Sequence, residues 1–225
     1  MAGTSEPGEG APLVVTVSAS YGAGGSVIAP RLADRLGVPW LDRLVSSTTA
    51  ERAGRGSDPV REGLSDREEA ATPGSRLLLY LARAAGAEVM TPPESLIDHN
   101  EVLRSRAETE IHELCTAGGV LLGRAGAVVL ARRPATYHVR LDGPPARRIA
   151  RAAQIEGITQ EQARTRINDT DKARSVYVRR LYRVDPTDPS LYHLVLDTTI
   201  LTTEGAIDVL ARAVEDYESN LAAPR

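Results

Sequence analysis

Val14-Val15-Thr16-Val17-Ser18-Ala19 runs straight into Ser20-Tyr21-Gly22-Ala23-Gly24-Gly25-Ser26, and this junction is built to hold an anion. A β-branched run, a glycine-rich turn and a helical start, in that order, aim backbone N–H groups and the positive end of a helix at one point. Gly22, Ala23, Gly24, Gly25 and Ser26 are therefore the candidate phosphate-binding residues. They are small because a larger side chain would hold the anion away from the backbone. Two positions depart from the phosphate-loop pattern G-x-x-x-x-G-K-[ST]. Ala19 stands at the first glycine and Gly25 at the lysine. Gly24 keeps the second glycine, and Ser26 keeps the hydroxyl that assists a Mg²⁺ ion.

A second chemical feature lies between Arg147 and Arg183, where ten basic residues face four acidic ones in a chain whose net charge is −3. Positive charge is thus segregated. Arg147 and Arg151 lie four apart and share a helix face; Asp171 and Arg174 lie three apart and share another. Transfer of a phosphoryl group needs such cations, because charge spreads over the transferring oxygens. A solvated, salt-bridged helical hairpin is the plainer account of the same charges.

Elements that place these residues follow from periodicity. Ile28, Leu32 and Leu36 recur every four residues before Gly37, which marks a helix end. Val38 to Asp42 reads as a short second strand. Leu77 to Val89 suits a helix, and Asp98-x-x-Glu101 reads as the start of another. Val120-Leu121-Leu122, Thr136 to Leu141 and Leu194 to Asp197 read as further strands. Pro144-Pro145 opens a basic helix, Thr159-x-x-Gln162 caps the next, and Thr203 caps the last. Strands alternating with helices predict an α/β fold with a five-stranded parallel sheet covered by helices on both faces. Residues 1–12, rich in Gly, Glu, Pro and Ser, read as a disordered leader, and 219–225 as a flexible tail.

Composition narrows the partners. Net acidity argues against a general nucleic-acid coat. Cys115 is alone, so there is no disulfide framework, and His99, His112, His138 and His193 show no metal-ligand spacing. No apolar run approaches the length of a membrane span, so the expectation is a soluble cytoplasmic protein. Only Lys172 among the 27 basic residues is a lysine.

Four passages, taken in order, resemble the cytidylate-kinase-like relatives of CMP kinase. They are Ser20 to Gly25; Gly123-Arg124 after a buried strand; Leu141-Asp142-Gly143-Pro144-Pro145-Ala146-Arg147-Arg148; and Asp171-Lys172-Ala173-Arg174 followed by Leu191 to Thr199. The resemblance spans roughly residues 13–217, within a domain of 13–218. It implies a P-loop kinase core with a helical lid over about 144–183 and an acceptor-side helical insertion over about 43–117. It also implies ATP as phosphate donor, Mg²⁺ as cofactor and a small nucleotide as acceptor. On this resemblance Gly22 to Ser26 hold the donor phosphates, and Arg147, Arg148 and Arg151 close over them as catalytic cations. Asp42, Arg124, Asp171 and Arg174 face the acceptor. Departures from the CMP kinases are Ala125 in place of an aspartate, and Ile167-Asn168 in place of Arg-Asp.

Two rival functions compete with phosphate transfer. A dinucleotide-binding oxidoreductase would use Gly22-Ala23-Gly24 with Asp42 twenty residues further on, but Val27 stands at its third glycine. A non-catalytic nucleotide-sensing module is favoured by the missing lysine.

Overall fold

Short β-branched and aliphatic segments pair side by side here because their apolar side chains must be covered by helices. The computed structural model describes residues 11–41 and 95–223. β1 (Val14–Ala19) passes through the glycine turn into α1 (Gly25–Leu36), which ends at Gly37 in the left-handed conformation. Then come α2 (Ser95–Leu114), β2 (Gly119–Leu122), the single turn α3 (Gly126–Val129) and β3 (Thr136–Asp142). The chain continues through α4 (Pro145–Glu156), α5 (Gln160–Tyr182), β4 (Leu194–Asp197) and α6 (Thr203–Ala222). All pairings among the described residues are parallel, in the order β2-β1-β3-β4.

Side-chain alternation along β1 divides the core. Val15 and Val17 pack with Ile28, Leu32, Leu210 and Val214 beneath α1 and α6. Val14 points the other way, towards Ile111, Cys115, Leu121 and Leu130 beneath α2 and α3. Leu32 and Leu210 are fully buried, and truncating either to Ala costs about 3 kcal/mol. A third, smaller cluster joins Tyr21 of the glycine turn to Ile149, Ala152, Ala163 and Ile167, fixing the α4–α5 hairpin against the turn.

The predicted second strand is reduced to one parallel bridge, Trp40 beside Val120, so the described sheet has four strands rather than five. Leu41 N donates to Val120 O and Val120 N to Pro39 O, both at 2.9 Å. Pro39 has no N–H to carry the ladder further back. Asp98 is not a helix start either, since α2 already begins at Ser95. The last helix is capped by Thr202, whose hydroxyl accepts from Gly205 N, not by Thr203, and its helical turns continue through Ala222. The Thr159–Gln162 capping box is present as read. The helix expected over Leu77–Val89, and most of the leader, lie outside the described residues.

Candidate active site

The glycine turn leaves the C-terminal end of β1 in the middle of the sheet, and its first half is tied down from three sides. Ala19 O accepts from Arg174 Nη1 at 2.9 Å. Ser20 N donates to Leu141 O at 3.0 Å, and Ser20 Oγ meets Arg140 Nη2 at 2.9 Å. Tyr21 N donates to Asp171 Oδ1 at 2.9 Å, while Tyr21 O accepts from Arg148 Nη1 at 2.8 Å. The Tyr21 hydroxyl reaches Glu156, which also binds Arg166. Ala23 O accepts from the fully buried Thr198 hydroxyl at 2.6 Å. A turn held at so many points cannot reshape itself around a ligand; it presents a fixed surface.

Its second half is different. The N–H groups of Gly22, Gly24, Gly25 and Ser26 make no hydrogen bond among the described residues. Gly24, at φ 82°, is the residue that turns the chain into α1, a conformation natural only to glycine. Orphan donors at a helix N-terminus, with alternating backbone twist before them, form a concavity suited to phosphate oxygens. Ser26 is half-buried in the first turn of that helix.

Cations flank this surface unequally. Arg148 is 7% exposed and paired through Nε and Nη1: besides Tyr21 O, it donates to Gly143 O at 2.9 Å and to Asp171 Oδ2 at 2.7 Å. Arg147 lies in the open and pairs with Asp197 at 2.8 Å. Arg151 donates to Thr198 O at 2.7 Å and, among the described residues, pairs with no carboxylate. Its half-buried guanidinium leans on Gly24, and loss of solvation holds its pKa below the usual arginine range. Arg124 also makes no hydrogen bond or ion pair among the described residues. It sits with Gly123 and Ala125 in three successive positive-φ conformations (72°, 56° and 56°) at the end of β2. Two adjacent non-glycine residues in that region are strained, and such strain gathers at working sites.

Carboxylates nearby are held ionised. Burial alone would raise the Asp142 pKa, but the Gly143 N–H, the Arg140 guanidinium and Ser20 together bring it below its ordinary value. Thr199 lowers that of Asp197 by bonding it through both hydroxyl and N–H.

Of the residues singled out in the sequence, the fold brings Gly22 to Ser26, Arg148, Arg151, Asp171 and Arg174 together around one turn. Arg147 stands one helical turn out, and Asp42 lies outside the described residues. Asp171 and Arg174 both grip the turn's own backbone. Reading the sequence missed Arg140 and Thr198. The available signal for Arg140 was a polar face on an otherwise apolar strand: Thr136, His138, Arg140 and Asp142 alternate along β3.

The chain belongs to the cytidylate kinase-like family, whose model matches residues 14–200. A cytidylate kinase of Methanopyrus kandleri is 38% identical over 112 residues, covering 46% of this chain and 58% of that protein. A cytidylate kinase of Natronomonas pharaonis is 25% identical over 205 residues, 91% of each chain. A solved structure, an uncharacterized protein of Eubacterium ventriosum, shares the fold with a TM-score of 0.54 at 15% identity over 90% of this chain and 98% of that one. No helix among the described residues is long and apolar enough to cross a membrane.

Proposed function

We propose that this chain is a nucleotide phosphotransferase, moving the γ-phosphoryl group of ATP to a nucleoside monophosphate or a similar small acceptor. The observation that carries the reading is the set of four N–H donors at Gly22, Gly24, Gly25 and Ser26 that are open among the described residues, beside an arginine that has no carboxylate partner among them. Fixed donors of this kind stabilise charge as it develops without reorganising, which is how phosphoryl transfer is accelerated. The donor set fits a polyphosphate, and the Ser26 hydroxyl, in the first turn of α1, would help hold Mg²⁺ there. When bound, that ion would neutralise charge between the β- and γ-phosphates.

Arg151 serves as the cation nearest the donor phosphates, with Arg147 free to join by releasing Asp197. Arg148 acts by bracing the turn. On the family resemblance Arg124 and Asp42 face the acceptor, while Asp171 and Arg174 set the turn against it by holding the Tyr21 N–H and the Ala19 carbonyl. Ile167 is 4% exposed and packed against Tyr21 in the hairpin cluster, so no polar side chain at this position reads a base. This position therefore does not restrict the acceptor to cytosine. A nucleotide-sensing module without catalysis is the second reading, supported by Gly25, which leaves the turn without the usual cation. We place the enzyme in the cytoplasm.

The test is to incubate purified protein with ATP, Mg²⁺ and each common nucleoside monophosphate, and to follow ADP. At least one acceptor should stimulate ADP release well above a Gly24→Val control. If none does while ATP still binds, the sensing module replaces the enzyme.

A further inference from the structure

The missing lysine has a steric counterpart on the neighbouring strand. Gly25 is buried as the first residue of α1, and a Cβ built on it would lie 2.5 Å from the Ala19 Cβ and 3.2 Å from Leu122 Cδ1. The first contact is far inside van der Waals range. Neither side can yield. Ala19 is paired in register with Leu141, and its carbonyl is held by Arg174. The start of α1 is anchored by Ile28 and Ala29, both fully buried. Only one of positions 19 and 25 can therefore carry a side chain. The phosphate-loop pattern puts glycine at the first position and lysine at the second; this chain has the reverse arrangement.

At the next residue the loop meets a cation from outside. A Cβ on Gly24 would lie 2.9 Å from Arg151 Nη2 and 3.2 Å from its Cζ, so the guanidinium rests on the loop backbone beside the open N–H groups. We infer that Ala19 and Gly25 form a mutually exclusive pair that bars lysine from the loop, and that Arg151 holds the phosphate charge in its place. The second half of this inference rests on the proposed binding of ATP; the first half does not. Lysine is thus excluded by Ala19, and the two departures from the pattern are one structural exchange. Arginine suits the exchanged position because it stays charged in a partly buried setting and grips phosphate with two donors.

Two arms of one experiment on the full chain separate these halves. Thermal unfolding is compared for Gly25→Ala, Ala19→Gly and the double variant. Gly25→Ala should lower Tm by about 4 °C or more, and adding Ala19→Gly should recover most of that loss. A double variant no more stable than Gly25→Ala overturns the exclusive pair. Calorimetric titration with Mg·ATP reads the charge. Arg151→Ala should weaken affinity by about tenfold or more, and introducing Ala19→Gly with Gly25→Lys should restore it. Undiminished affinity in Arg151→Ala, absence of ATP binding by the unaltered protein, or a folded triple variant that fails to recover overturns Arg151 as the replacement. ATP binding of this kind without phosphate transfer would defeat the proposed activity while leaving the inference intact.

Discussion

Arg148 and Arg151 lie three residues apart on α4, and their surroundings differ in kind. Arg148 is buried, and its donors meet Gly143 O, Tyr21 O and the Asp171 carboxylate. Arg151 reaches one carbonyl, that of Thr198, and rests on Gly24 with no carboxylate to neutralise it among the described residues. An arginine paired in this way is a structural tie: its charge is already matched by Asp142 and Asp171. A half-desolvated arginine without a counter-ion is a standing demand for an anion, because burial without pairing is unfavourable until a negative group arrives. One helix thus contributes both the brace that shapes the turn and the cation that makes the shape useful.

The largest effect is expected at the turn itself. Gly24→Val places a branched side chain at φ 82° and against the Arg151 guanidinium, so ATP binding should be lost altogether. The backbone strain itself is only about 1–2 kcal/mol, so the protein should still fold, as circular dichroism would show. Next in size is Arg148→Ala. It leaves Asp142 and Asp171 without their shared cation, but both carboxylates are about one-third exposed, which moderates the loss. Stability should fall by about 2–3 kcal/mol, a Tm drop of roughly 4–12 °C, measured by thermal unfolding.

Away from the turn, His138 should give a stability effect with no functional one. His138 is 5% exposed, its Nδ1 2.7 Å from the Thr16 hydroxyl, and its ring stacks on His193 at 5.1 Å. Burial first, then the neighbouring His193, lowers its pKa to about 4. The unfolded chain takes up a proton near pH 6.5, which the folded chain refuses until about pH 4. Stability from this group is therefore complete above pH 6.5 and is lost as pH falls, by about 2 kcal/mol between pH 7 and pH 5. Urea titrations at those two pH values should show the slope in the unaltered protein and a smaller one in His138→Gln. The smallest effect belongs to Arg147→Ala, whose ion pair with Asp197 is exposed. Its Tm should stay within about 1 °C of the unaltered protein.

How far the sequence disclosed these regions depends on the range of the forces involved. The glycine turn, the Pro144-Pro145 helix start and the Thr159–Gln162 capping box are local, and each was legible from a few neighbouring residues. Pairings across the sheet were not. Arg140 reaches Ser20 across 120 residues of sequence, and His138 meets His193 across 55, because parallel strands bring together residues far apart in the chain. The different fates of Arg147, Arg148 and Arg151 were equally hidden. Helical spacing puts Arg147 and Arg151 on one face but says nothing of the carboxylates on α5 and β4 that pair with some arginines and leave another alone. The apolar run at Val38–Asp42 suggests a longer strand than the one bridge observed, because Pro39 has no N–H to extend the ladder.

The division of labour on α4 is tested most directly by one variant read two ways. In Arg151→Ala, phosphate transfer to the best acceptor and thermal unfolding are measured on the same preparation. The account predicts a fall in turnover of about a hundredfold, the scale for loss of a fixed charge from a transition state, with Tm within about 3 °C of the unaltered protein. Unchanged turnover, or a collapse of Tm like that expected for Arg148→Ala, would show that Arg151 is another structural tie and would contradict the account.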